Sequence, residues 1–197
     1  HYTDDLPATI EEDLDGWMGI DDLLTRFAKH RFVELEPFSI SSEAVSFWDH
    51  FGNPYEEHDP ETIHDVCGLL DARLAELGYR LPTENELEAA CGGSLFPWGV
   101  EWPSGIPYGS DTDFTAHRGP TSTGLKLDGD PYKVEIARTA FMLGDGGEAI
   151  CGGYPWPVPW FGLSPSHRLV DRDVDEYLAE FLEGAWFRAV AMDGGEQ

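Results

Sequence analysis

The amino-acid sequence predicts one loop-rich domain in which helices and short strands are mixed. Several stretches repeat apolar residues at helical spacing, and shorter apolar runs end at Pro- or Gly-containing turns, as strands do. From residue 92 to residue 130 the chain is instead rich in Gly, Pro, Ser and Thr, with isolated aromatics and little periodicity. Such a stretch is too aromatic for a disordered linker; long irregular regions of this kind are functional, or they form the packed loop core of a fold with few regular elements. A length of 197 residues suits one domain with a sizeable core and not two. With 41% hydrophobic and 13% aromatic residues, including seven Trp, that core needs no cross-links.

Taken in chain order, GIDDLLTRFAKHRF places Ile20, Leu23, Leu24 and Phe27 on one helical face, which makes residues 1–30 an N-terminal helical arm. RFVELEPFSI reads as a strand through Phe32, Val33, Leu35 and Phe38. SSEAVSFWDHF reads as a short helix capped by Ser41 or Ser42, with Val45, Trp48 and Phe51 turned inward. The clearest helix lies in DPETIHDVCGLLDARLAELG, where Ile63, Val66, Cys67, Leu70, Leu74 and Leu77 form a stripe and Gly78 stands at the C-terminal cap. Cys67 on that stripe is a core residue and not a nucleophile. In RLPTENE, Thr83 and Glu86 have the spacing of a capping box, and Arg80 has Glu84, Glu86 and Glu88 within reach. DPYKVEIARTAFMLGDGGEAICGGYPW reads as two strands joined by an acidic Gly turn, with Val134, Ile136, Ala140, Met142 and Ile150 inward. DRDVDEYLAEFLEG reads as an amphipathic helix through Val174, Tyr177, Leu178, Phe181 and Leu182, and AWFRAVAM as the closing strand.

Charge is the strongest compositional signal. Against 38 acidic residues stand 12 basic ones, for a formal net charge of −26, so nucleic acid and anionic membranes are excluded as partners. Basic proteins, cations or a saline medium suit such a surface. Only Lys29, Lys126 and Lys133 are lysines, against nine arginines, a bias expected of a halophilic or high-GC source. Cys67, Cys91 and Cys151 follow neither a zinc nor a disulfide spacing, no apolar run is long enough to span a bilayer, and HYTDDLPATIEED lacks the apolar region of a signal peptide. A cytoplasmic location is expected.

The stretch YRLPTENELEAACGGSLFPWG resembles the signature of the formylglycine-generating enzyme family, also called the sulfatase-modifying factor family. That signature runs RLPTE, a glycine turn and PWG. EPFSISSEAVSFWDHF, DVCGLLDARLAELG, ICGGYPW and WFRAVAM are similar to flanking segments of the same family, so the resemblance covers about residues 32 to 191 with gaps. It implies an α+β, C-type-lectin-like variant fold, loop-rich, with a small twisted antiparallel sheet and a few helices, occupying residues 31–197 as one unit. Arg80, Thr83, Glu86, Gly92, Gly93, Trp98, Gly152, Gly153 and Arg188 then belong to the structural motif, with Thr83 and Glu86 capping a helix, Gly92 and Gly93 permitting a turn and Trp98 anchoring the core.

The residues that the family uses for chemistry differ here. Its oxidase branch binds copper through two cysteines that follow the late glycine-rich strand, where soft thiolates suit Cu(I). This chain has no cysteine after Cys151. The family's Asn- and Trp-bearing segment, expected near GDPYKVEIART, is also absent, and there is no room for the extra helical domain that supplies a histidine ligand in the iron-dependent branch. Both arginine-glycine-glycine turns have become CGG, at Cys91 and Cys151, which either lie together as a metal pair or disulfide or fill space as small buried residues. Among the histidines only His50, His58 and His64 cluster, beside Glu56, Glu57, Asp59 and Asp65, and without a recognisable ligand spacing.

The expectation is therefore a non-catalytic family member without a cofactor that binds a basic protein, as an immunity or antitoxin protein does when it neutralises a toxin. Stiff aromatics in GGYPWPVPWFG supply the contact through Tyr154, Trp156, Trp160 and Phe161, with Asp171, Asp173, Asp175 and Glu176 beside them. A divergent oxygen-dependent metalloenzyme, a non-haem iron or copper oxidoreductase acting on a small amino-acid-derived or peptide substrate, is the alternative, drawing its ligands from His50, His58, His64, His117, His167 or the cysteines. A lectin-like ligand binder is the third reading.

Overall fold

The structure, a computed structural model, describes residues 31–51, 61–103, 116–127, 133–144, 151, 158–169 and 178–192. The N-terminal arm, Ile150, Val174 and Tyr177 lie outside these, as do the side chains of Trp48, Phe51 and Phe181. Among the described residues the regular elements in chain order are β1 (Val45–Ser46), α1 (Phe47–Phe51), α2 (Ile63–Glu76), β2 (Tyr79–Arg80) and α3 (Glu84–Ala90). After a short 3-10 turn at Ala116–Arg118 come β3 (Val134–Ile136), β4 (Phe141–Met142), α4 (Val158–Phe161), α5 (Leu178–Glu183), β5 (Ala185–Phe187) and β6 (Val190–Ala191). The class is α+β with few helices, small sheets and much loop.

α2 forms because its first and last turns are satisfied locally. The Thr62 hydroxyl accepts from the Asp65 N–H, the Asp65 carboxylate accepts from the Thr62 N–H, and Gly78 at φ +83° closes the C-terminal turn. Ile63, Val66, Cys67, Leu70 and Leu74 are buried as the spacing predicts. Leu77 is not: it caps the helix and is 62% exposed, because the stripe ends where the helix ends.

A mixed sheet in the order β1-β5-β3-β4 receives this stripe. The resemblance led to an antiparallel sheet, but β3 and β5 run parallel, pairing Val134, Glu135 and Ile136 with Ala185, Trp186 and Phe187. Since side chains alternate along a strand, Val134, Ile136, Ala185 and Phe187 share one face and join the core with α2 and with Leu178 and Leu182 of α5. Glu135 and Trp186 occupy the opposite face. A second core, built on Leu87 and Cys91 with Ala137, Ala140 and Met142, lies under α3. The strands β3 and β4 are joined by residues 137 to 140, where the Ala137 N–H donates to the Ala140 carbonyl at 2.9 Å. The expected acidic Gly turn lies beyond them and outside the described residues.

Three further expectations change. Residues 32 to 38 form no strand, and Phe32 and Val33 are 100% and 43% exposed. Only the following Ser39, Ile40 and Ser41 find a ladder, against Ala189, Val190 and Ala191. The helix expected from Ser41 starts instead at Phe47, where the Ser46 hydroxyl accepts from the Asp49 N–H; Val45 is 38% exposed and Phe47 is the inward residue. Finally, AWFRAVAM breaks into β5 and β6, which belong to different sheets, because Arg188 between them is drawn into the interior.

Candidate functional site

The signature stretch builds an ion-pair corner around α3. The Thr83 hydroxyl accepts from the Glu86 N–H at 3.2 Å, and Glu86 Oε2 accepts from the Thr83 N–H at 2.8 Å. Of the three carboxylates within reach, Arg80 takes Glu86, with both guanidinium nitrogens engaged at 2.7 and 2.6 Å. The Arg80 hydrogen bond, helped by those from Thr83, holds the Glu86 carboxyl at about 2. Glu84 accepts instead from the Thr139 N–H at 2.7 Å, and Glu88 from Arg168 at 2.8 Å. Three acidic residues of one short helix thus hold three different segments. Beyond α3, Gly92 and Gly93 adopt φ of +96° and +65°, the left-handed geometry that a glycine turn requires.

Arg188 is a second hub, and Glu135, a residue the sequence analysis passed over, is its partner. Arg188 is 1% exposed; its Nε and one terminal nitrogen each lie 2.7 Å from a Glu135 oxygen. The remaining donors reach the carbonyls of Ser42 at 2.6 Å and Lys126 at 2.7 Å. Burial opposes the charge, but Glu135 outweighs it and the guanidinium pKa lies above its ordinary value. The sequence carries little signal for Glu135, because V-E-I is the ordinary alternation of a strand with one solvated face, and Arg188, which covers that face, lies 53 residues away.

No disulfide joins any pair of the cysteines. Cys67 is buried with its thiol pushed up to about 12 by desolvation, then by the charges of Glu84 and Asp71, and it donates to the Ala137 carbonyl at 3.2 Å. Cys91, 1% exposed, is likewise raised by burial and by Glu135. Of the two CGG cysteines, Cys91 fills buried space, whereas Cys151 is exposed and does not. The two thiols that the family places after its late glycine-rich strand have no counterpart here, since no cysteine follows Cys151.

The aromatic residues are arranged differently from the expectation. Trp160 is fully buried and Phe161 is 4% exposed, so neither offers a face to a partner; α4 turns both inward. They floor a cluster in which Trp98 stacks on Phe96 at 4.7 Å and meets Trp160 edge-on at 5.7 Å. Trp102 packs edge-on against Phe96 at 5.5 Å and Phe161 at 5.9 Å. Trp98 anchors this satellite cluster while remaining partly exposed. Tyr154, Trp156, Gly152, Gly153, Asp171, Asp173, Asp175 and Glu176 lie outside the described residues.

Of the histidine cluster, His50 is exposed beside the Phe187 ring at 5.8 Å, His64 is exposed on α2, and His58 lies outside the described residues. His117 is buried against Trp98 and Trp160, and His167 is 3% exposed. Among the described residues no group of three or more His, Cys, Asp or Glu is arranged to hold a metal ion. Nor, among them, is any helix long and apolar enough to cross a membrane. Comparison of the chain with family models, with curated proteins and with solved structures gives no match.

Proposed function

We propose that this chain is a non-catalytic member of the formylglycine-generating-enzyme-like fold whose role is to bind a basic protein, in the manner of an immunity or antitoxin protein. The observation that carries the reading is the net charge of −26 on 197 residues, a field that attracts and steers cationic partners and repels nucleic acid. Its non-catalytic half is supported by the loss of the copper thiols and by the employment of Glu86, Glu135, Arg80 and Arg188 in closed ion pairs. Polar side chains so engaged hold loops together and are not available for proton transfer. The signature stretch is then scaffold, and binding belongs to the exposed loops it supports.

Elemental analysis of protein purified without chelator or nickel resin tests the non-catalytic half. Copper or iron near one per chain would overturn it. The binding half is tested by eluting partners captured from extract along a salt gradient and identifying them. A basic protein released steeply with salt is expected. An acidic partner, or an association indifferent to salt, would overturn the electrostatic reading.

A further inference from the structure

The residues expected to touch a partner, Trp160 and Phe161, instead floor a cluster whose upper members reach the surface, and what stands on that floor is a rigid tip. Phe96 and Gly99 exchange both backbone hydrogen bonds, at 3.0 and 2.9 Å, and Gly99 sits at φ +119°, so the turn closes tightly at a position suited to glycine. The Trp98 indole N–H donates to the Glu101 carbonyl at 2.9 Å and ties the outgoing chain to the same ring. Trp98 and Trp102, on either side, are both only partly buried. Between them the tip presents Val100, 76% exposed, and the exposed Glu101. An apolar β-branched side chain left that open at a pinned turn contributes nothing to the core beneath it, while an exposed acidic residue between two partly exposed tryptophans in the chain offers the two kinds of attraction that a guanidinium or ammonium group uses.

We propose that the Val100–Glu101 tip, flanked by Trp98 and Trp102, is the docking point for the basic protein partner, with Val100 entering an apolar recess and Glu101 meeting an arginine or lysine at its rim. The inference rests on the basic-partner reading above and names its surface. Charge complementarity fixes the class of occupant, since a second copy of a chain at −26 would be repelled. Preorganisation fixes the place: both hydrogen bonds of the turn and the indole tether are made before the partner arrives, so docking orders little.

The test uses a short, end-blocked oligo-arginine peptide as probe against the full chain at about 50 mM salt, where screening is weak. Affinity is measured by calorimetry, and the indole N–H signals of Trp98 and Trp102 are followed by NMR. Glu101→Lys is compared with Glu76→Lys, an exposed position on α2 with the same change in net charge. Glu101→Lys is expected to weaken binding about tenfold, as loss of a contact at the centre of an interface does, and Glu76→Lys about twofold or less. The Trp98 and Trp102 signals should move with peptide saturation. Equal losses in the two variants, or unmoved Trp98 and Trp102 signals in a protein that still binds the peptide, overturn the tip and leave the basic-partner reading standing. Failure of the unmodified chain to bind the peptide at all overturns both.

Discussion

Arg188 illustrates why a single buried charge can decide local structure. Its guanidinium spends its donors on Glu135 and on the carbonyls of Ser42 and Lys126, so one side chain fastens the entry segment and the loop before β3 to the central sheet. Removing it strands a carboxylate that is itself only 7% exposed. Arg188→Met should therefore cost about 3–5 kcal/mol in urea unfolding, whereas adding Glu135→Leu should return a large part of the loss, since the uncompensated charge is gone. A double variant no better than the single one would place the cost in the orphaned carbonyls. Glu86 carries a pH dependence of definite sign. Its folded pKa, about 2, is depressed below the ordinary 4.5, so the stability it supplies is complete above about 4.5 and is lost as pH falls toward 2. Acid unfolding curves of the parent and of Glu86→Gln should keep a constant separation above about 4.5 and converge as pH falls through that window; a separation that does not change with pH would mean that Arg80 and Thr83 do not depress the Glu86 pKa.

At the scale of elements, the parts that could be read in the sequence were those whose ends and faces are specified locally. α2 and α3 each carry a capping box, at Thr62–Asp65 and Thr83–Glu86, and their apolar spacing fills three to four turns in one case and two in the other. Strands of two or three residues carry no usable alternation, and β3 is buried on both faces, Glu135 included, so the observed hairpin of β3 and β4 falls wholly within what reads as the first of two strands, before the acidic Gly segment. The break between β5 and β6 was hidden for a related reason: it depends on Glu135, which lies 53 residues away from Arg188. Two glycines test the element picture in opposite directions. At Gly68, inside α2, a Cβ would meet nothing within 4 Å, so Gly68→Ala should stabilise by about 0.5–1 kcal/mol through helix propensity. At Gly144 a Cβ would overlap the Lys133 carbonyl and the Val134 side chain, and Gly144→Ala should destabilise by about 1–3 kcal/mol. Thermal midpoints moving in the same direction for both would contradict either the open surroundings of Gly68 or the close approach of Lys133 and Val134 to Gly144.

For the whole molecule, the same charge on which the proposed basic partner rests opposes the compact state. Folding brings 38 carboxylates and 12 basic groups into one small volume, and the internal pairs that neutralise each other, such as Arg80 with Glu86 and Arg188 with Glu135, use up arginines and leave the excess of acid outside. Exposed pairs like Lys126 with Glu43 return little, because water screens them. The net self-repulsion acts over distances comparable to the Debye length, about 10 Å at 0.1 M salt and about 3 Å at 1 M. Raising sodium chloride across that range should therefore raise the thermal midpoint, by about 2–4 °C for each kcal/mol of repulsion removed in a chain of this size. Changing several exposed carboxylates, such as Glu34, Glu36 and Glu76, to Gln should raise the midpoint at low salt and flatten its rise with salt. Binding of a basic partner, if the proposal holds, responds in the opposite sense, weakening as stability increases, because salt screens attraction between the molecules as it screens repulsion within one. A midpoint that is independent of salt, alongside binding that weakens with it, would show that the acidic groups are spaced widely enough to spare the fold and concentrated only where the partner meets them.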